Sequence, residues 1–111
     1  MDAATKMIAE LNDRLRTTFN EKAGRIMVTR GIGALPQKDQ AKIFKLVQTF
    51  KGFSRKNDPH GEHDFGAVEH KGEKVFWKID YYDPTMQWGS ADPTDPTLTV
   101  RVMTVMLAHE R

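Results

Sequence analysis

The chain has 111 residues, 39% of them hydrophobic, with a formal net charge of +2 and no cysteine. That length supplies one core, so residues 1–111 are expected to form a single domain, and the lack of cysteine excludes a disulfide framework, a zinc-thiolate site and a thiol nucleophile. No window approaches the roughly 18 apolar residues of a membrane span and MDAATKMIAELND lacks the apolar run of a signal peptide, so a cytoplasmic protein with no membrane partner is expected.

Met7, Ile8, Leu11, Leu15 and Phe19 recur at three- and four-residue steps, with Glu10, Asp13, Arg14 and Arg16 between them, which predicts an amphipathic helix over about residues 3–18. RIMVTR then alternates Ile26 and Val28 with polar or flexible neighbours, as in a short strand, and Gly31 and Gly33 predict a loop. Pro36 suits the first turn of a second helix, where Ile43, Phe44, Val47 and Phe50 keep helical spacing until Gly52; Phe53 is expected to tuck beneath it.

HDFGAVEH and EKVFWKIDYY are rich in aromatic and β-branched residues and are separated by Lys71-Gly72, which predicts a β-hairpin. A two-residue turn sets Val68 opposite Val75, Gly66 opposite Trp77 and His63 opposite Asp80. Val68, Val75, Trp77 and Ile79 then form the core face, with the Trp77 ring over Gly66, while Phe65, Phe76, Lys78, Asp80 and His63 share the other. PTMQWGSADPTDP reads as a loop, and LTVRVMTVMLA as a final strand in preference to a helix. The expected fold is α+β, two helices packed on one face of a small, mainly antiparallel sheet.

Charge is unevenly distributed. Residues 1–56 carry 12 Lys and Arg against 5 Asp and Glu, whereas residues 57–95 carry 3 against 9. The first reading is two halves that attract as they pack, and the alternative is two surfaces for different partners.

The stretch NDPHGEHDFG, Asn57 to Gly66, gathers acids and imidazoles at one end of the hairpin. His60, Glu62, His63 and Asp80 could ligate a divalent metal, yet alternate strand residues point to opposite faces and the HxxH spacing lies in a loop. The preferred reading is a structural polar network of Asn57, Asp58, Glu62, His63 and Asp80, in which His63 bonds Asp80 and the Asn and Asp satisfy turn amides. No nucleophile stands out, and no catalytic residue, metal or cofactor is assigned. Lys38, Lys42 and Lys45, at four- and three-residue steps on the second helix, form a stripe that could track phosphates. Trp88, in a Gly-Ser-Pro loop, must fold onto the core or stay exposed for a partner.

GEHDFG, FWKIDYYD, DPTDP, MVTRGIGALP and the closing RVMTVMLA together resemble a family of small bacterial proteins of unknown function, over nearly the whole chain from LNDRLR onward. The resemblance implies bacterial origin and carriage on mobile genetic elements, whose small proteins often block a host defence component such as CRISPR machinery. It supplies no reaction, cofactor or residue role. The expected function is therefore a compact, non-catalytic module that binds a protein or nucleoprotein partner, anchored by Trp88, Tyr81 and Tyr82. The alternatives are a metal-dependent enzyme using His60, Glu62, His63 and Asp80, and a nucleic-acid binder using the second helix.

Overall fold

The computed structural model describes residues 2–111. Helix α1 spans Ala3–Thr18, strand β1 Arg25–Val28, a one-turn helix α2 Arg30–Gly33 and helix α3 Gln37–Gln48. Strands β2 (Phe65–His70), β3 (Glu73–Tyr82) and β4 (Val100–Leu107) follow, and a 3-10 turn at Ala108–Glu110 closes the chain. The sheet order is β1-β4-β3-β2, with β1 parallel to β4 and the other pairs antiparallel. The fold is α+β, and its final strand lies at the centre of the sheet.

The local causes are visible in the sequence. Asp2 starts α1 by accepting from the Thr5 amide at 2.7 Å, and Pro36, which has no amide hydrogen, precedes α3. The Lys71-Gly72 turn places both residues at positive φ, 52° and 79°, the conformation that matches the twist of a two-residue hairpin. It fixes the expected register, Val68 opposite Val75 and Gly66 opposite Trp77. Gly31 and Gly33 lie in α2 and not in a loop, because Glu110 returns from the far end of the chain to organise that turn. Its carboxylate accepts from the Gly31 amide at 2.8 Å, the Thr29 hydroxyl at 2.5 Å and the Leu107 amide at 2.9 Å.

The core forms between the helices and one sheet face: Leu15, Ile32, Ile43 and Val47 pack with Val75, Trp77, Ile79, Met103, Val105 and Leu107. The Trp77 ring fills the space left by Gly66, where an added Cβ would lie 2.5 Å from Nε1 and 2.6 Å from Cε2. β4 is apolar on both faces, as a central strand should be, since Val102 and Met106 are buried on the side away from the helices. Among the described residues no α-helix covers that second face. Its floor is an open groove of about 710 Å³ lined by Met27, Tyr82, Met86, Val102, Met106 and Arg111, among others. Beside it the Arg111 guanidinium sits over Phe65 and Phe76, 4.8 and 5.3 Å from their centroids.

α3 is tied to the hairpin tip through Asp39, whose Oδ1 meets His70 Nε2 at 2.9 Å and Lys71 Nζ at 3.0 Å. Hydrogen bonds from His70 and then Lys71 hold this carboxyl below its ordinary value of 3.8. A depressed carboxyl contributes stability above the unfolded value and loses it as pH falls through the folded one. Asp39→Asn should therefore melt below the parent at about pH 7 and converge with it as pH drops below 3.8. Thermal melts across that range check this. Gly66→Ala, which drives a methyl into the Trp77 ring, should cost roughly 1–3 kcal/mol, read as a lower urea midpoint at unchanged slope.

Candidate functional site

The polar residues of the opening hairpin segment are brought together with α1, not with β3. α1 turns Asn12 and Arg16 into the protein, 0% and 3% exposed, one helical turn apart. The Asn12 amide donates to the Tyr81 hydroxyl at 2.8 Å and to the Glu62 carbonyl at 2.9 Å. Its Oδ1 accepts from Arg101 Nε at 2.8 Å, and the Tyr81 hydroxyl donates onward to Glu62 Oε1 at 2.8 Å. A relay thus runs from the Arg101 guanidinium through two neutral groups to the Glu62 carboxylate, each bond polarising the next. Burial first, and then the bond to Glu62, push the Tyr81 hydroxyl pKa well above its usual range. It stays protonated as a donor.

Arg16 reaches the end of α3, where its Nη1 donates to the carbonyls of Val47, Gln48 and Phe50 at 2.9, 3.3 and 3.0 Å. Val47 and Gln48 end the helix, where the cation complements the dipole, and Phe50 lies two residues beyond it. The spacing of Phe50 extends the apolar pattern past the helix, which stops at Gln48 once Arg16 captures its last carbonyls. Arg16 Nη2 also meets Asp13 at 3.0 Å, and its guanidinium lies over the rings of Phe53 and Trp77.

His63 does not face Asp80. The segment bends at His63, φ 56°, before the strand begins, and directs the imidazole at α1. Nδ1 lies 2.9 Å from Asp13 Oδ2, Nε2 lies 3.8 Å from Asp58 Oδ2, and the ring stacks flat on Phe53 at 3.9 Å between centroids. Phe53 packs between His63 and Trp77, against the core that holds Ile43 and Val47 of α3. Asp58 is buried and accepts from the His63 amide, and Asn57 closes a turn by accepting from the Ser54 amide and donating to the Gly52 carbonyl. Asp80 stands outside this network, paired with Lys78 at 3.0 Å on the open face.

These placements bear on each expected site. His60 is exposed, Glu62 serves Tyr81, His63 serves Asp13 and Asp80 serves Lys78, so the four proposed ligands do not converge. Among the described residues no three His, Asp or Glu side chains gather as a metal site would require. Both His63 nitrogens face carboxylates, which suits a brace across three segments. Of the aromatic anchors, Tyr81 faces the helices and has its hydroxyl engaged, Tyr82 lines the open groove, and Trp88 is 71% exposed. Lys38, Lys42 and Lys45 are all exposed on α3 and make no ion pair among the described residues.

The contacts that cross between the two halves use acids of the first half, Asp13 with His63 and Asp39 with His70 and Lys71. No Lys or Arg of residues 1–56 forms an ion pair with an acid of residues 57–95 among those described. The acids of the middle segment instead accept from nearby amides and hydroxyls: Asp83 from Thr85, Asp92 from Thr94 and Asp95 from Thr97, at 2.7 to 2.8 Å. Each sits in an Asp-Pro-Thr turn, and bonds from its threonine help hold the Asp95 carboxyl below the ordinary range.

A family described as Protein of unknown function (DUF3768) matches residues 28–110. The chain belongs to that family. No curated protein and no solved structure matches it. The matched span contains Glu62, His63, Tyr81 and Arg101, and it begins after α1, so Asn12, Asp13 and Arg16 complete the network from outside it. Sequence reasoning missed those three because their charges and amide read as the solvated side of an amphipathic helix. The available signal was the i, i+4 spacing of Asn12 and Arg16 against Ile8 and Leu15, which puts them toward the core.

Asn12→Ala removes three bonds at once and leaves the Arg101 and Tyr81 donors and acceptors short of partners in a dry setting. A loss of roughly 2–4 kcal/mol is expected. Chemical denaturation measures it, and Asn12→Ala combined with Tyr81→Phe should lose less than the sum of the single changes, since the two share a bond.

Proposed function

We propose that this chain is a non-catalytic binding module that seats a protein partner on its open sheet face, with Trp88 as the anchor at one end. The observation that carries this reading is how Trp88 is held. An exposed tryptophan on a floppy loop would be unremarkable, but here the Asp83 amide donates to the Trp88 carbonyl at 2.8 Å and Asp83 Oδ1 accepts from the Trp88 and Gln87 amides. The Ser90 amide then bonds the Tyr81 carbonyl and Gly89 bridges Tyr82. The loop fixes the backbone while 71% of the tryptophan stays in solvent. A preorganised aromatic side chain loses little freedom on docking, and this is the character of an interface hot spot.

The neighbouring groove supports the same reading. Met86 of this loop and Tyr82 of β3 wall it, Met27 is 54% exposed at its far side, and flexible methionines adapt to partner surfaces. Arg111 adds positive charge, whereas Lys78 is paired with Asp80 and the Glu110 carboxylate nearby is already bonded to Thr29, Gly31 and Leu107. The fitting partner segment carries carboxylates beside apolar side chains. The resemblance to proteins of bacterial mobile elements directs the choice of partner toward a host defence component, in a cytoplasmic setting.

A photo-crosslinking residue placed at Gln87 or at Met27 in the native host should yield a protein adduct. Trp88→Ala should melt within roughly 0.5 kcal/mol of the parent, because the side chain is in solvent, yet weaken the identified partner by about 2 kcal/mol or more. Equal affinity of parent and Trp88→Ala for every crosslinked protein would overturn the proposal. So would capture of nucleic acid through Lys38, Lys42 and Lys45.

A further inference from the structure

β1 is an edge strand with one neighbour, β4, to which it runs parallel. The Thr29 amide donates to the Val105 carbonyl at 3.1 Å. Backbone groups alternate in direction along a strand, so Arg25, Met27 and Thr29 turn theirs to β4 while the amides and carbonyls of Ile26 and Val28 point outward. Among the described residues no backbone group or side chain bonds those outward groups. The register of Arg25–Val28 is continuous, and no proline interrupts it. A depression of about 580 Å³ lies beside this edge, lined by Phe19, Glu21, Gly24, Arg25, Ile26 and Met27. We propose that β1 takes an extended, acidic segment of a partner protein as a fifth strand of the sheet.

Two features of the edge fit strand addition, in which main-chain bonds give affinity and alternate side chains give specificity. The first is the unpaired backbone of Ile26 and Val28. The second is the division of its side chains between two faces: Met27, 54% exposed, lies with Arg25 toward the open sheet face, whereas Ile26 and Val28 lie toward the helices beside Phe19. An added strand would place every second side chain against Arg25 and Met27 and the others against Phe19, Ile26 and Val28.

Charge selects the occupant. Lys22, Arg25 and Arg30 are exposed around this edge and make no ion pair among the described residues, while Glu21 is the one acid from Asn20 to Arg30. A second copy pairing edge to edge would bring these cations against their own kind, whereas a carboxylate-bearing strand matches them. The other edge offers no such match. β2 carries Glu69, and its tip is tied to α3 through His70 and Asp39. The inference rests on the reading of the chain as a protein-binding module, and it involves no residue of the Trp88 loop.

Isothermal titration of the full chain at low ionic strength with a capped octapeptide alternating glutamate and valine tests the proposal. It should bind saturably, and its lysine-valine counterpart should not. The glutamate-valine peptide N-methylated at its internal amides keeps each side chain but loses its donors, and should bind at least about tenfold more weakly. Hydrogen exchange read by NMR should show the Ile26 and Val28 amides slowed by the peptide, with those of β2 unchanged. Arg25→Glu should weaken the peptide by at least about tenfold. Val28→Pro, which removes an outward amide and no bond to β4, should do the same in any preparation whose melt shows it folded. Trp88→Ala should bind the peptide as the parent does, so failure of the Trp88 interface and failure of the strand site are told apart. No saturable heat up to about 1 mM, equal binding of the methylated or the lysine peptide, protection confined to β2, an Arg25→Glu chain that binds unchanged, a Trp88→Ala chain that loses the peptide, or dimers of the free chain that shield the Ile26 and Val28 amides would each overturn the proposal.

Discussion

Two polar side chains on the inward side of α1 decide how the irregular parts of this protein are held. The sixteen residues between α3 and β2 form no strand or helix, and such a length of chain is ordered only if its backbone groups find partners. Asn12 supplies one for the Glu62 carbonyl, and Arg16 supplies several for the end of α3 and for Phe50. Asp13, between them, holds His63. α1 is therefore less a lid over the sheet than a template on which the segment from Val47 to His63 is laid. Its apolar residues, Ile8 and Leu15, bring the hydrophobic contribution, while its polar ones select a single path for the chain above it. Buried polar contacts of this type add specificity because any other path would leave the same groups unpaired.

That division explains what could be read in the sequence. The hairpin register was legible because Lys71-Gly72 dictates a two-residue turn and because Gly66 and Trp77 complement each other in volume, both local facts. α1 and the strands were legible from periodicity. The pairing of His63 was not, because it depends on one residue leaving the extended conformation, which moves the imidazole from the sheet to a helix fifty positions earlier. Glu110 likewise bonds Thr29 and Gly31 across the whole chain, and this converts two glycines that look like a loop into a helical turn. Side chains that act at long sequence separation leave no trace in local pattern. The bulk charge split carried no pairing detail for the same reason: Asp83, Asp92 and Asp95 are matched by adjacent threonines, and the contacts that cross the halves use Asp13 and Asp39 of the first.

The segment from Asp83 to Thr99 shows how local chemistry can order a chain with almost no core of its own. Three Asp-Pro-Thr turns supply bonds within three residues, proline removes an amide that would need a partner, and the fixed φ of each ring narrows the unfolded ensemble. Two long-range ties then set its position, the bonds from Asp83 to Trp88 near the end of β3 and the Arg101 bond to the Pro93 carbonyl beside β4. Between these ties the chain runs past the open face first and a cleft beside α1 afterwards, with Met86 on one and Pro96 and Thr99 on the other.

The openness of the second sheet face follows from topology. Both long helices precede the hairpin, and β4 enters between β1 and β3 after them, so every helical crossover is completed on one side. What remains for the other side is a short terminal turn and the Asp83–Thr99 loop, and these reach only its margins. β4 nonetheless presents Val102 and Met106 there, both 4% exposed beneath longer neighbours. A face meant only for water would carry polar groups along its central strand, as half-exposed antiparallel strands do. This one carries Thr104, Lys78 and Asp80 but keeps Val102 and Met106 at its floor, with aromatic rings under Arg111 at one side and Met86 of the Trp88 loop in its wall, an arrangement that hydration alone does not account for.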